Sequence, residues 1–168
     1  MQCSSCQADL PITARFCPSC AAPVLNEIDI KAPHQVSIEW VTTTLKAQRY
    51  EIEPLNSNPN AIITRRDGGT LVLTLMKDAQ IIAVQSLWNM KPPSWGQKAD
   101  LLAAVNKANA LNWLCTCYVS EAFDNLTVSS FVYLTERLSS RDLCVFLENF
   151  QAGVAGVIQN SGILKFAK

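Results

Sequence analysis

Charge is scarce in this chain and carries no net sign. Fourteen basic and fourteen acidic residues cancel, and neither sign gathers in blocks, so no bulk field draws the protein onto nucleic acid or an anionic membrane. Histidine is nearly absent, His34 being the single one. There is no Walker loop, no dinucleotide fingerprint and no HExxH, which removes the common signatures of phosphate, nicotinamide and metalloprotease chemistry. No stretch approaches the ~18 consecutive apolar residues of a membrane span. The opening MQCSSCQADL lacks the positive start and apolar run of a secretory signal. The expectation is a cytoplasmic, non-enzymatic protein with no membrane contact. Internal repeats and low-complexity tracts are also missing.

What is present is apolar residue and cysteine. With 49% hydrophobic and 17% charged residues, 168 residues suit one ordinary domain with a buried core and a small accessory module. Seven cysteines, an odd number, fit a disulfide framework poorly. Four of them form two CxxC knuckles, Cys3-Ser-Ser-Cys6 and Cys17-Pro-Ser-Cys20, ten residues apart. In a reducing compartment such pairs bind metal more often than they oxidise. The spacing predicts one structural zinc ion held by Cys3, Cys6, Cys17 and Cys20, since four thiolates leave no coordination position for a substrate water. A segment of this size cannot bury a core, so the metal must supply its folding energy; Leu10, Ile12 and Phe16 offer only a small apolar lid. Disulfides or free thiols are the alternatives.

Residues 1–23 resemble the short N-terminal zinc ribbons of many bacterial proteins, whose pattern is CxxCG, a spacer, then FCxxCG. The chain departs from it at Gln7 and Ala21, where glycine is usual. A residue with a Cβ there strains the turn. Ribbons of this kind sit on proteins of many functions.

Residues 24–34 mix prolines, charges and isolated apolar residues and read as a linker, with a short extended piece at Val24–Ile30. From Gln35 the texture becomes periodic. Ile38, Val41 and Leu45 predict a helix over 35–48. Strands follow at Tyr50–Glu53 and Ala61–Arg66, then Asp67-Gly68-Gly69 signals a hairpin into a strand carrying Leu71, Leu73 and Leu75. A fourth strand spans about Gln80–Leu87. Pro92, Pro93 and Gly96 interrupt, and Lys98–Leu111 is a helix with Leu101, Leu102, Val105 and Ala108 on one face. Strands at Trp113–Glu121 and Leu126–Thr135 precede a final helix. Ser139 caps it with Asp142, and its face runs through Leu143, Phe146, Leu147 and Phe150; Gly153 and Gly156 oppose its continuation to Val154, Val157 and Ile158. Helices that bury one face on an antiparallel sheet make an α+β domain over 35–168.

Three segments carry a resemblance to the YbjN family: SIEWVTTTLKAQRYEIE, LLAAVNKANALN with Asn106 and Asn109, and LTERLSSRDLCVFLENF. The resemblance covers about Val36 to Phe150. It implies a fold like that of type III secretion chaperones, often dimeric, and a sensory-transduction or stress regulator with no enzyme activity.

Candidate sites outside the ribbon are few. Glu51 and Glu53 share a strand face that solvent exposure explains. Cys115 and Cys117 share a face, and with Cys144 they read as core thiols rather than a second metal or redox site. Asn106 and Asn109 hold a neighbouring backbone or contact a bound peptide. In SLWNMKPPSWG, Trp88, Met90 and Trp95 surround two prolines; they either project as a partner-binding surface or fold back as a lid on the core. The expected partner is a protein or peptide, with a homodimer also implied by the resemblance. The alternative, a nucleic-acid regulator reading phosphate through the ribbon, would want cations, and the ribbon has Arg15 alone.

Overall fold

The computed structural model describes residues 2–3, 6–11, 14, 16–21, 29–112 and 114–168. In chain order these form β1 (Ile30–Lys31), α1 (Ile38–Ala47), β2 (Glu51–Pro54), β3 (Ala61–Arg66), β4 (Gly69–Met76), β5 (Ile81–Asn89), α2 (Lys98–Leu111), β6 (Thr116–Val119), β7 (Asn125–Tyr133), β8 (Leu138–Ser139) and α3 (Ser140–Ser161). Short 3-10 segments lie at Pro33–Gln35, Trp95–Gln97 and Ile163–Phe166. Of the expected features, Ile12, Arg15, the Val24–Ile28 part of the extended piece, and Trp113 lie outside the described residues.

The chain is α+β, as its patterning predicts. One antiparallel sheet has the strand order β2-β3-β4-β5-β7-β6. Leu71, Leu73 and Leu75 share one core with Leu45 of α1, Leu101 of α2 and Phe150 of α3, so the helices cover one sheet face. Val72, Thr74 and Met76 alternate onto the other, less buried face. The β3–β4 hairpin turns on Asp67 (φ 51°) and Gly68 (φ 79°), between the paired Arg66 and Gly69. Two consecutive positive φ values suit a two-residue turn between twisted strands.

The helices follow their caps and their apolar spacing. Ser37 accepts the Trp40 N–H at 3.2 Å and opens α1. Helix α2 buries Leu101, Ala104, Val105 and Ala108, an i, i+3, i+4, i+7 stripe. Leu102, expected on that stripe, lies a residue off it and is exposed. Ser139 accepts the Asp142 N–H at 3.0 Å, the N-cap bond expected at the start of α3, and its hydroxyl donates to Oδ2 of Asp142 at 2.6 Å.

Helix α3 runs past both of its glycines to Ser161, with Val154, Val157 and Ile158 buried. Each glycine costs about 1 kcal/mol in a helix. Each buried aliphatic side chain contributes about 1.5–3 kcal/mol, so burial wins. Gly153 also permits a close approach: Asn112 donates to its carbonyl at 3.4 Å, and a Cβ there would meet the Asn112 amide at 2.9 Å. Phe146, expected in the core, is only half-buried and stacks on fully buried Phe150, with ring centroids 6.4 Å apart.

Ile30, the last residue of the extended piece expected in the linker, pairs with Ser139, and Lys31 with Leu138; the partner strand Leu138–Ser139 is not among the expected strands. Asp29 beside them accepts the Trp40 indole N–H at 2.6 Å and pairs with Lys31 at 2.9 Å, while its carbonyl accepts from the Ser140 N–H. A two-residue strand has no local periodicity to read.

Candidate functional site

The two knuckles bring Cys3, Cys6, Cys17 and Cys20 together, with all four sulfurs within 4.8 Å of one another. Cys3 and Cys20 Sγ lie 3.6 Å apart, and Cys6 and Cys17 Sγ 3.4 Å. A disulfide would need ~2.05 Å. Four thiolates ~2.3 Å from a tetrahedral ion would lie roughly 3.8 Å from each other. The donor set and its spacing therefore fit a metal ion. Cys3 and Cys17 are buried against Leu10, while Cys6 and Cys20 face solvent.

Both knuckles close in the same way. Gln7 N–H donates to the Cys3 carbonyl and Ala21 N–H to the Cys17 carbonyl, each at 2.8 Å. Gln7 (φ 58°) and Ala21 (φ 55°) both sit in the left-handed region. These are the two positions where the ribbon pattern usually has glycine, so the turn keeps its shape and the side chains bear the strain.

Crowding divides the thiols. At Cys17 desolvation opposes ionisation, but hydrogen bonds from the Ser19 and Cys20 backbone and from the Cys6 and Cys20 thiols outweigh it, and its pKa falls. At Cys6 the Ala8 backbone favours the thiolate, yet the neighbouring cysteines push the thiol up to about 12. Four sulfurs this close cannot all ionise unless a cation sits among them.

The structure does not gather Trp88, Met90 and Trp95 into one surface. Met90 is 0% exposed, in the same core as Leu101 and Phe150, and bridges Ala167. The chain's final residues pack on it, which no local pattern announces, so Met90 cannot belong to a free surface. Trp88 is half-buried and donates its indole N–H to Ser86 Oγ at 3.0 Å. Trp95 is 90% exposed. The loop before it is stiffened by Pro92 and Pro93 and closed by Gln97, whose side chain accepts from the Ser94 N–H and hydroxyl.

The remaining candidates take structural places. Asn109 receives the Cys117 N–H at 2.7 Å and donates to the Cys117 carbonyl at 3.0 Å, holding edge strand β6 as a neighbouring backbone; Asn106 is exposed. Cys115 and Cys117 are buried on one face, where the neighbouring thiol and burial push Cys117 well up; burial raises Cys144 to about 12. Glu51 and Glu53 are exposed, and Glu53 pairs with Arg65 at 2.9 Å. His34 is exposed in the 3-10 turn before α1. A feature invisible in the sequence is a groove of about 460 Å³ where β4 and β5 part beside Trp88. It depends on where pairing stops, which neither strand's pattern specifies. Among the described residues, no helix is long and apolar enough to cross a membrane.

Comparison with known proteins bears on residues beyond the knuckles. The profile of the YbjN family, described as "Putative bacterial sensory transduction regulator", matches residues 37–158. No curated protein matches the sequence. Among solved structures the chain is similar to "Crystal structure of YbjN, a putative transcription regulator from E. coli", with TM-score 0.64 and 12% identity over 79% of this chain and 96% of that one. At that identity the likeness concerns the fold. The four cysteines precede the matched span.

Proposed function

Since the chain belongs to the YbjN family, we propose that it is a cytoplasmic regulatory module that binds a polypeptide without catalysing a reaction, and that its four cysteines hold one structural zinc ion. Zinc suits an all-cysteine tetrahedral site, because it has no redox chemistry and no geometric demand beyond four close donors. When bound it supplies a cross-link that fixes both knuckles. Cys3 and Cys17 would anchor it from the buried side, and Cys6 and Cys20 would close it from solvent.

The observation that carries the polypeptide reading is Trp95, 90% exposed on a loop stiffened by Pro92 and Pro93. A large ring held out by a rigid loop offers contact area at little entropic cost. Charge favours a protein over nucleic acid, since residues 1–23 hold Arg15 as their one cation and four thiolates around Zn²⁺ add negative charge.

The test is recovery of partners from the native host with the full chain and with Trp95→Ala, alongside thermal melting of both. Reduced recovery of one defined protein at an unchanged melting temperature is the expected result. Unchanged recovery would overturn the loop as the binding surface.

A further inference from the structure

The ladder between β4 and β5 stops at Val72 opposite Gln85. On either side the outer ladders continue: β4 pairs with β3 as far as Gly69, and β5 pairs with β7 as far as Asn89. The sheet is therefore split at this end. Thr70 and Leu87, which would form the next hydrogen-bonded pair, are not partners. In an antiparallel sheet successive residues direct their N–H and C=O groups alternately to the two neighbouring strands. Since Val72 and Gln85 face each other, Thr70 and Leu87 also turn their main-chain groups into the gap.

The groove at the gap is lined by residues of both sheet faces. Its lining includes Leu71, Ser86 and Trp88 from the helix-covered face and Leu87 from the open face, with Val154 and Ala155 of α3 below. Leu87 is 58% exposed on the open face. The groove thus combines apolar walls with two strand edges that offer a donor and an acceptor each. A hydrocarbon or lipid tail would match the walls but leave those edges unpaired. An extended peptide matches both, through its own amides and one inserted side chain.

We propose that the split between β4 and β5 is a binding site for an extended polypeptide segment that places an apolar side chain between Trp88 and Val154 and pairs its backbone with Thr70 and Leu87. This rests on the polypeptide-binding reading above and adds the strand gap to the Trp95 loop as a second contact for the same partner.

The test is a titration of the full, metal-loaded chain with a blocked pentapeptide, acetyl-Ala-Thr-Leu-Thr-Ala-amide, followed by ¹H–¹⁵N resonances. The expected result is shifts of the Thr70 and Leu87 amides and the Trp88 indole. Replacing the central leucine by glutamate should weaken binding at least about tenfold, since a carboxylate would be buried unpaired. Ala155→Trp should abolish it; Ala155 is exposed, so this variant keeps its fold. No shift at these residues at millimolar peptide, or equal binding by Ala155→Trp, would overturn the inference. So would 1-hexanol displacing the peptide while leaving the Thr70 and Leu87 amides unmoved, which marks a pocket for small apolar molecules. If host-partner recovery is lost with Trp95→Ala but survives Ala155→Trp, the strand gap is not the site and the loop reading stands.

Discussion

Asn109 and Cys117 exchange two hydrogen bonds, side chain to main chain, at 2.7 and 3.0 Å. Strand β6 is the last in the sheet, and its outer N–H and C=O at Cys117 would otherwise lack a strand partner. An α2 amide supplies both partners and closes that edge. Asn109→Ala should destabilise the fold by about 1–3 kcal/mol, because it orphans a donor and an acceptor together. Asn106→Ala, on the exposed side of the same helix, should stay within about 0.5 kcal/mol. Paired denaturant titrations compare the two, and equal losses would mean that the clasp contributes nothing.

The metal centre should respond to its two strained turns. Purified protein is expected to hold one zinc per chain by elemental analysis, and Cys3→Ser or Cys20→Ser should release it. A left-handed residue other than glycine costs about 1–2 kcal/mol, partly offset by the greater freedom of glycine in the unfolded chain. Gln7→Gly and Ala21→Gly should therefore each tighten binding about two- to fivefold in chelator competition. Looser binding in both variants would show that the side chains make contacts worth more than the strain.

Phe150 and Phe146 stack in parallel but are buried unequally. Phe150→Ala leaves a cavity in the core and should cost about 3–5 kcal/mol. Phe146→Ala loses part of one ring face and should cost about 1–2 kcal/mol. Equilibrium unfolding measures both, and a reversed order would put α3 in the wrong phase.

Strand β1 hangs on Asp29. Its carboxyl is held below the usual range first by Lys31 and then by the Trp40 indole. A carboxyl with a depressed folded pKa stabilises above its unfolded value, near ~3.9, and loses that contribution as pH falls through the folded pKa. Asp29→Ala should therefore melt lower than wild type at pH 7, with the difference closing as pH falls below the usual carboxylate range and through the depressed folded pKa. A chain beginning at residue 29 should likewise melt above one beginning at residue 35. A constant difference across the acid range would show that the carboxylate charge contributes nothing to it.

Elements encoded by local chemistry are legible in the chain before it folds. Two CxxC pairs can converge on one ion because each is a single tight turn. Leu71, Leu73 and Leu75 mark a sheet face by alternation, and Ser139 with Asp142 starts a helix through bonds only three residues long. Features that depend on distant partners emerge only once the chain is packed. Pairing of Ile30 with Ser139 joins residues more than a hundred positions apart, so an extended piece ending at Ile30 is legible locally but its partner is not. For Trp88, Met90 and Trp95 the local sequence leaves both a partner surface and a lid on the core open, and for Met90 the distant Ala167 decides it. Leu102 and Phe146 were apolar at nearly the right phase, yet a helix buries only the stripe that faces its neighbours. The split beside Trp88 is the same kind of fact, because where two strands stop pairing is set by what their outer neighbours and the helix beneath them require.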